Sequence, residues 1–463
     1  MKDQSFSKSK SKFVTSLYPT VNRKVFIETY GCQMNVSDSE VAVSILKDHG
    51  FEYTEDMNVA DLILINTCSI RENAEQRVKS RLNIFRLMKK QRPGLLIGVI
   101  GCMAERLKEK LLEDEKSVDL VIGPDSYRDI YKLVELAGIG QKAINVLLSR
   151  EETYADISPV RLDTNKISAF VSIMRGCNNM CAYCVVPYTR GGERSRDAFT
   201  IIKEIKNLIS IGYKEVTLLG QNVDSYCWAD SGSCSIINFS HLLAMVAEID
   251  PNIRVRFSTS HPKDMSDEVL HTMAKYPNIC RYIHLPAQSG SSRVLEMMKR
   301  GYTREWYLER IASIKNILPD AAITTDLIAG FCSETEEDHQ ETLSLMREVK
   351  YDLSYTYKYS ERPNTFAQRK YQDDISEDIK ARRLQEIIDL QRELSTESKS
   401  MDIGKTLEVL IKGTSKKSEA YFVGRTSQNK YVVFPKLDHL IGQMVQVNII
   451  SCTSGTLKGE IVK

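Results

Sequence analysis

Three cysteines in the first third of this chain each follow an apolar run with the length of a β-strand. Cys32 follows FIETYG, Cys68 follows LILINT and Cys102 follows IGVIG, with spacings of 36 and 34 residues. Because the carboxyl ends of neighbouring parallel strands share one edge of a sheet, cysteines at three such ends can converge. Cysteine is also a common small core residue, and that interpretation suits any one of the three alone. Their repeated position favours a three-ligand metal site.

The pattern around these cysteines predicts a doubly wound parallel sheet. Strands that are apolar throughout alternate with helices, as is typical of a sheet covered on both faces. The predicted strands are residues 25–30, 61–66, 95–100 and 119–122, and the predicted helices are residues 37–48 and about 72–90. We therefore expect a first α/β domain over residues 23–148 and a linker over residues 149–166.

A second alternating series predicts a partly closed, TIM-like barrel of six βα units within residues 167–400. The side chains that act in such barrels lie at the carboxyl ends of the strands. The predicted strands are residues 170–174, 215–219, 254–258, 282–285, 322–328 and 354–359. A bridging helix over residues 376–400 is predicted to have an apolar face of Ile379, Leu384, Ile387, Ile388 and Leu394. Five short alternating strands then predict a small β-barrel over residues 401–463.

Charge and cysteine content limit the class of protein. The 463 residues have a net charge of only +2, yet residues 1–24 carry six Lys/Arg against Asp3, and residues 404–463 carry nine against four acids. The Ser/Lys-rich segment 1–22 predicts a disordered basic tail. It contains no apolar core of the kind that a signal peptide has. No apolar run in the sequence is long enough to span a membrane. An odd number of cysteines, eleven, predicts reduced thiols, metal ligation and a cytoplasmic location.

Cys177, Cys181 and Cys184 form a C-x3-C-x2-C loop directly after a predicted strand. Thiolates are soft ligands that suit zinc or an iron–sulfur cluster. A structural zinc ion takes four ligands, whereas three cysteines on a [4Fe–4S] cluster leave one iron open. The alternatives are a zinc site completed by a distant residue, or three core cysteines. The spacing and the position after a strand favour the cluster.

Residues 175–196, with the sequence RGCNNMCAYCVVPYTRGGERSR, resemble the signature loop of radical S-adenosylmethionine (SAM) enzymes. The resemblance implies that the open iron binds SAM and that SAM is the source of a 5′-deoxyadenosyl radical. Gly220-Gln221-Asn222 stands where that family has Gly-Gly-Glu, and only the glycine is retained. The residues that we expect to contact SAM are Tyr183, Gly220, Gln221, Asn222 and Gln288.

The chain as a whole is similar to the radical-SAM methylthiotransferases. The motifs that carry the similarity are ETYGCQMN at 28–35, the loop at 172–196, LLGQNVDSY at 218–226 and HLPAQSGS at 284–291. The resemblance implies that Cys32, Cys68 and Cys102 hold an auxiliary [4Fe–4S] cluster, and that Cys177, Cys181 and Cys184 hold the radical-SAM cluster. It further implies that the C-terminal barrel is an RNA-binding, TRAM-like domain.

Residues 30–35 and 185–190 are most similar to the branch that acts on N(6)-isopentenyladenosine at position 37 of tRNA. That branch would add sulfur and a methyl group at carbon 2, with two molecules of SAM and a sulfur carried on the auxiliary cluster. Rival interpretations are the same chemistry on threonylcarbamoyl-adenosine of tRNA or on an aspartate of a ribosomal protein. A non-catalytic, metal-containing RNA-binding or electron-transfer protein is an alternative of another class.

The resemblance also implies partners. We expect the tRNA anticodon stem-loop, an external low-potential electron donor and an Fe–S repair or carrier protein, with the chain itself a monomer. The candidates for RNA phosphate contacts are Lys412, Lys416, Lys417, Arg425 and Lys430. A Lys pair in a small barrel is more often simply a solvated turn.

Two further features leave their roles open. Arg190, Arg194 and Arg196 flank the cysteine loop and suit either anion binding or a solvated loop. Cys332-Ser333 stands where the methylthiotransferases typically have Pro-Gly, in a loop expected at the barrel mouth.

Overall fold

The computed structural model describes residues 22–68, 72–163, 165–230, 235–438 and 440–462. The predicted basic tail lies outside the described residues apart from Asn22. Among the described residues, no helix combines the length and apolar character needed to cross a membrane.

The first unit is a six-stranded sheet in which every neighbouring pair is parallel. The strand order is β2-β1-β3-β4-β5-β6. Its strands are β1 Arg23–Tyr30, β2 Phe51–Tyr53, β3 Leu62–Thr67, β4 Leu96–Ile100, β5 Leu120–Ile122 and β6 Ala143–Asn145. The four predicted strands are present. The sequence analysis missed β2 and β6, each of only three residues.

Helices cover both faces of this sheet, which confirms the doubly wound prediction. The helices are α1 Gln33–Asp48, α2 Glu72–Gln91, α3 Cys102–Leu107, α4 Glu109–Asp114 and α5 Ile130–Gly138, with single 3-10 turns at Met57–Val59 and Tyr127–Asp129. Helices α1 and α5 pack on one face, while α2, α3 and α4 pack on the other. The strand order reverses between β1 and β3, and such reversals open a crevice at the carboxyl ends of the strands.

The second unit is an open barrel of six parallel strands. Its strands and short hairpins are β7 Ser168–Ser172, β8 Met174–Arg175, β9 Arg194–Ser195, β10 Glu215–Leu219, β11 Cys227–Ala229, β12 Ile236–Asn238, β13 Arg254–Ser258, β14 Tyr282–His284, β15 Ala322–Ala329 and β16 Leu353–Lys358. The sheets β13-β10-β7 and β14-β15-β16 meet where Val255 exchanges backbone hydrogen bonds with Asn278 and Cys280. Within the described residues, no ladder joins β7 to β16. The six predicted barrel strands are β7, β10, β13, β14, β15 and β16.

Helices surround the barrel. They are α6 Val186–Arg190, α7 Ala198–Ser210, α8 Phe239–Ala247, α9 Asp267–Lys275, α10 Ser292–Met297, α11 Arg304–Ile317, α12 Glu336–Val349, α13 Phe366–Lys370 and α14 Glu377–Ser400, with a 3-10 turn at Val223–Ser225. Polar caps fix several of their starts; for example, the Thr335 hydroxyl accepts from the Asp338 amide in a capping box.

Helix α14 differs from its predicted apolar face. Ile387 and Leu394 are buried against the barrel, but Ile379 is 39% exposed. Lys380 and Arg383 are buried instead, because each finds an acidic partner on a neighbouring segment. The helix therefore packs through ion pairs as well as through apolar side chains.

The third unit is a closed five-stranded barrel of order β17-β18-β19-β21-β20. Its strands are β17 Thr406–Ser415, β18 Ser418–Thr426, β19 Tyr431–Pro435, β20 Met444–Cys452 and β21 Leu457–Ile461, as the alternating pattern predicts. The barrel docks at the amino ends of β10 and β13, where Lys412 Nζ lies 2.8 Å from Glu215 Oε1 and Arg254 donates to the carbonyl oxygen of Arg425. The carboxyl ends of the strands stay available for a site.

Candidate active site: two sets of three cysteines

The structure places Cys32, Cys68 and Cys102 at one edge of the first sheet. They follow β1, β3 and β4, which are neighbours in the sheet. The register pairs Tyr30 with Thr67 and Asn66 with Ile100, so the three cysteines leave the sheet at nearly the same level. The predicted convergence therefore has its backbone basis in the parallel register.

The thiols of this set, here called the auxiliary set, are close enough to influence one another. A hydrogen bond with Cys68 is the main effect that lowers the pKa of the Cys32 thiol to about 6. Cys32 is exposed, whereas Cys68 and Cys102 are buried. Burial raises the pKa of the Cys102 thiol, and the nearby Cys32 raises it further. Gly31 permits the close approach, because a Cβ there would lie 2.5 Å from Cys68 Cβ.

Two asparagines hold this edge in place. Cys32 Sγ lies 3.2 Å from Asn35 Oδ1, and Asn35 Nδ2 donates to Asn66 Oδ1 at 2.8 Å. Asn66 in turn donates to the carbonyl oxygen of Asn35. Both are fully buried at strand or helix ends, so they fix the turns that carry the cysteines. The sequence analysis missed them, although both lie within three residues of a cysteine.

The second set, here called the loop set, curls over the carboxyl end of β7. Cys177 and Cys181 are buried and Cys184 is half-buried. Burial is the main reason that the pKa of Cys177 rises to about 11 and that of Cys184 to about 12, and the nearby Cys181 thiol raises both further. Gly176 has φ of 77°, and a Cβ there would collide with the carbonyl oxygen of Gly192. Only glycine allows this curl.

Arg300 anchors the loop set and was not foreseen from the sequence. Its guanidinium is buried and donates to Cys181 Sγ at 3.3 Å, to the Tyr183 hydroxyl at 3.4 Å and to the carbonyl oxygen of Pro286 at 2.7 Å. It thereby ties the cysteine loop to the end of β14. Because 119 residues separate Arg300 from Cys181, no local pattern could have indicated this contact.

The predicted SAM-contacting residues lie around the loop set. Gln221 Oε1 accepts from the Gly176 amide at 2.5 Å. Asn222 donates to Asp264, which also accepts from Asn179 inside the cysteine loop. Gly220 packs on Met174. The Tyr183 hydroxyl accepts a hydrogen bond from Arg300, which also donates to Cys181 Sγ. Gln288 lies in the turn beside β15, where its backbone amide donates to the carbonyl oxygen of Asp326.

Several buried polar atoms at the barrel mouth have no hydrogen-bond partner among the described residues. They include Asn222 Oδ1, after β10, and His261 Nε2, after β13. Burial lowers the pKa of His261 to about 2, so this imidazole is neutral. An unpaired buried polar group is costly, and such groups at a strand end suit a polar ligand.

The arginines that flank the cysteine loop join it to the first unit. Arg190 Nε donates to Cys102 Sγ at 3.2 Å, and Arg190 Nη2 donates to Asp38 Oδ2 at 2.7 Å. Arg175 Nη1 donates to the other oxygen of Asp38 at 2.9 Å. Burial raises the pKa of Asp38, but the two guanidiniums outweigh it and hold the pKa below its usual value. The ion pairs lock α1 against the cysteine loop.

Arg194 and Arg196 are buried too, and they pair with Asp125 and Glu204. The interpretation of these arginines as a solvated loop is therefore wrong. Neither suits the anion-binding interpretation, because each guanidinium already has a carboxylate partner.

Two of the predicted RNA-binding residues serve the domain junction instead. Lys412 pairs with Glu215, and Lys430 Nζ lies 2.7 Å from Asp402 Oδ2 at the end of α14. Both ammonium groups are engaged by these carboxylates, so the structure gives no support to the prediction that they bind phosphate. The sequence pattern could not separate them from exposed lysines, because their partners lie in other units.

Of the other three candidates, Lys416 and Lys417 are exposed, whereas Arg425 is half-buried where the small barrel docks on the central barrel. The two lysines lie in the turn between β17 and β18. The Arg425 guanidinium lies 4.7 Å from the ring centroid of Tyr431. The exposed lysine pair in the turn between β17 and β18 is compatible with contacts to RNA phosphates.

A basic surface on α2 was missed in the sequence analysis. Residues 76–92 carry seven Lys/Arg and no acid. Arg81, Lys89 and Arg92 are engaged with Glu28, Asp119 and backbone carbonyls respectively. The four that remain exposed, here called the α2 basic surface, are Arg77, Lys79, Arg86 and Lys90. Helix α2 begins four residues after Cys68, so this surface leads away from the auxiliary set.

Three family models match successive parts of the chain. The uncharacterized protein family UPF0004 matches residues 24–123, the Radical SAM superfamily matches residues 171–346 and the TRAM domain matches residues 402–462. Among solved structures, the radical SAM methyltransferase TsrM from Kitasatospora setae superposes with a TM-score of 0.55 at 13% identity, covering 75% of this chain and 77% of that one. At that identity the likeness concerns the fold.

The curated relatives are similar over nearly the whole length. The tRNA-2-methylthio-N(6)-dimethylallyladenosine synthase of Amoebophilus asiaticus is 58% identical over 453 residues, which covers 96% of this chain and 93% of that protein. The protein of the same name from Phocaeicola vulgatus is 57% identical over 442 residues, covering 95% and 96%. The chain therefore belongs to the radical-SAM family of tRNA-2-methylthio-N(6)-dimethylallyladenosine synthases.

Proposed function

We propose that this protein converts N(6)-dimethylallyladenosine, also called N(6)-isopentenyladenosine, at position 37 of tRNA to its 2-methylthio derivative. Cys32, Cys68 and Cys102 hold the auxiliary [4Fe–4S] cluster, and Cys177, Cys181 and Cys184 hold the radical-SAM [4Fe–4S] cluster. The observation that carries the proposal is the arrangement of two three-cysteine sets on either side of α6, in a chain more than half identical to synthases of this name.

The bound clusters and SAM supply the methyl group, the sulfur and the radical that an inert C–H bond requires. The protein's own residues position and shield these groups. Arg300 and Gln221 fix the loop that carries Cys177, Cys181 and Cys184. The unpaired Asn222 Oδ1 and His261 Nε2 offer polar contacts to SAM at the barrel mouth, near Tyr183, Gly220 and Gln288.

The tRNA is bound by basic groups on two domains. Lys416, Lys417 and Arg425 contact phosphates from the small barrel, and the α2 basic surface contacts them from the first unit. The target adenosine leaves its stack to reach the carboxyl ends of the barrel strands, as enzymes that modify bases require.

The remaining partners follow from the chemistry. Reduction of the clusters needs a low-potential electron donor, and a consumed auxiliary sulfur needs an Fe–S repair or carrier protein. A tRNA substrate and reduced thiols support a cytoplasmic location. We expect a monomer, which light scattering on the anaerobic protein would check.

Iron analysis tests the two cysteine sets. Anaerobically reconstituted protein should contain about eight irons, the content of two [4Fe–4S] clusters. Replacing Cys32, Cys68 and Cys102 with alanine should remove about four and leave SAM cleavage intact, whereas replacing Cys177, Cys181 and Cys184 should remove about four and abolish cleavage. Zinc in place of iron would instead favour a non-catalytic metal protein.

Nucleoside mass spectrometry tests the substrate. Cells that lack the gene should accumulate N(6)-isopentenyladenosine, and the methylthio form should return on complementation. Unchanged isopentenyl nucleosides together with a loss of methylthio-threonylcarbamoyl-adenosine, or of a modified ribosomal aspartate, would assign the enzyme to one of the rival branches.

A further inference from the structure

Arg190 contacts both cysteine-bearing parts of the molecule. It is the last residue of α6, six residues after Cys184 of the loop set. Its Nε donates to Cys102 Sγ of the auxiliary set at 3.2 Å. The guanidinium is only 3% exposed. A residue of the radical-SAM loop therefore supplies a buried hydrogen bond to a sulfur of the other site.

The charge around this contact is unbalanced. Three buried guanidiniums, those of Arg175, Arg190 and Arg194, share two buried carboxylates, those of Asp38 and Asp125. One positive charge is thus in excess among these five groups, and the buried carboxyl of Glu105 nearby has its own cation in Lys108. Arg190 Nη1, moreover, has no hydrogen-bond partner among the described residues. An excess cation with an unused donor beside Cys102 suits an anionic sulfur centre.

Charge and hydrogen bonds to sulfur tune iron–sulfur centres. Reduction adds a negative charge, so a nearby cation and an N–H···S hydrogen bond both favour the reduced form and raise the reduction potential. Burial strengthens both effects, because the pair is little screened by solvent. A lysine in place of Arg190 would keep the positive charge. Its single ammonium nitrogen could not donate to Cys102 and Asp38 in the fixed geometry of a planar guanidinium.

We propose that Arg190 is a positioning residue that holds Cys102 as a ligand and raises the reduction potential of the auxiliary cluster. The inference rests on the proposed function, since it requires a cluster on Cys32, Cys68 and Cys102. Through α6, the loop that carries Cys184 thereby also sets the electrostatics of the auxiliary site.

The test uses the full chain with Cys177, Cys181 and Cys184 replaced by alanine, so that only the auxiliary cluster is reconstituted. Its midpoint potential is measured by redox titration followed by electron paramagnetic resonance. Arg190→Met should lower the ratio of reduced to oxidised cluster at a fixed potential at least tenfold, a shift of about 59 mV for a one-electron couple. Arg190→Lys should lower the same ratio of reduced to oxidised cluster by a smaller factor. If the Arg190→Met protein does not accumulate, the potential of the Arg190→Lys protein is measured instead.

Arg161→Met is the matched control. Arg161 also bridges the first unit and the barrel, through Glu40 and Glu204, and it is 10% exposed. Its loss should weaken the same domain junction without moving the potential. A potential that is unchanged in the Arg190 variants, or that moves equally in Arg161→Met, overturns the role of Arg190 while leaving the proposed function intact. A parent protein that binds no iron overturns the auxiliary site itself, and the role of Arg190 with it.

Discussion

Lys412 of the small barrel and Glu215 of the central barrel form a buried ion pair, with Nζ 2.8 Å from Oε1. Arg256 Nε lies 2.7 Å from the other oxygen of the same carboxylate, which is 1% exposed. Burial raises the pKa of Glu215, but Arg256 and Lys412 outweigh it and hold the pKa well below its usual range. One carboxylate thus bridges two cations where the small barrel docks.

Glu215→Gln should loosen this docking. The change leaves Arg256 and Lys412 without an anion, and breaking a buried pair in this way costs about 3–5 kcal/mol. Limited proteolysis should cleave the variant faster near Gly404, between α14 and β17. Glu419→Gln, an exposed position on β18, should behave as the wild type. Equal cleavage rates in all three proteins would contradict the structural role of Glu215.

The stability difference should depend on pH with a definite sign. Because the folded-state pKa of Glu215 is lowered, the carboxylate contributes fully above its unfolded pKa of about 4.3, and the contribution is lost as pH falls through the folded pKa. Chemical unfolding should therefore show a constant difference between wild type and Glu215→Gln from about pH 7 to pH 5, which shrinks in stronger acid. A difference that grows on acidification would be inconsistent with this ion pair.

Asp38→Asn should destabilise the junction between the first unit and the cysteine loop. Asp38 is fully buried and accepts from both Arg175 and Arg190, so its neutralisation leaves Arg190 without a carboxylate and leaves Arg175 with Asp125 alone, 3.5 Å away. We expect the free energy of unfolding to fall by about 3–5 kcal/mol. Asp48→Asn, at the exposed end of the same helix α1, is the control. A similar small change in both variants would show that the buried pairs do not hold the junction.

The sequence predicted elements and cysteine positions well because both are local. Apolar runs defined β1, β3 and β4, and the cysteines directly after them converge because parallel neighbours end at one edge. By contrast, β2 and β6 have three residues each, too few to show a periodic pattern.

The ion pairs between distant parts of the chain could not be predicted from local sequence patterns. Arg190 and Cys102 are 88 residues apart, and Lys412 and Glu215 are 197 apart. Whether a basic residue faces solvent, RNA or a buried carboxylate depends on how the units pack. Lys412 was therefore predicted to bind RNA, and the basic α2 helix was overlooked.

Ser333→Gly and Ser333→Ala test the departure from the usual Pro-Gly of the family. Ser333 has φ of 58°, a conformation that favours glycine, and its amide and hydroxyl both donate to Asp374. Glycine removes about 1 kcal/mol of backbone strain but loses the hydroxyl contact, so its stability should stay within about 1 kcal/mol of wild type. Alanine keeps the strain and loses the contact, so it should be the less stable of the two in thermal unfolding. The reverse order would contradict this account of the loop.

The α2 basic surface should contribute to tRNA affinity through phosphates. Arg77→Gln combined with Lys79→Gln removes two exposed charges near the auxiliary end of α2, and Arg86→Gln combined with Lys90→Gln removes two further along. Each phosphate contact that is lost should reduce the slope of log affinity against log salt by about 0.7–0.9. Binding of a labelled anticodon stem-loop at several salt concentrations measures this slope.

The opposite face of the same sheet supplies the comparison that separates a contact from a general charge effect. Lys47→Gln combined with Lys132→Gln also removes two exposed lysines of the first unit, but from α1 and α5, which pack on the other side of the sheet. The net charge falls equally in all three double variants, so a long-range field would change the affinity and salt slope of all three alike. A direct RNA path along α2 would change them only in the two α2 variants. Because that helix starts four residues after Cys68, such a path would lead the substrate backbone toward the auxiliary set.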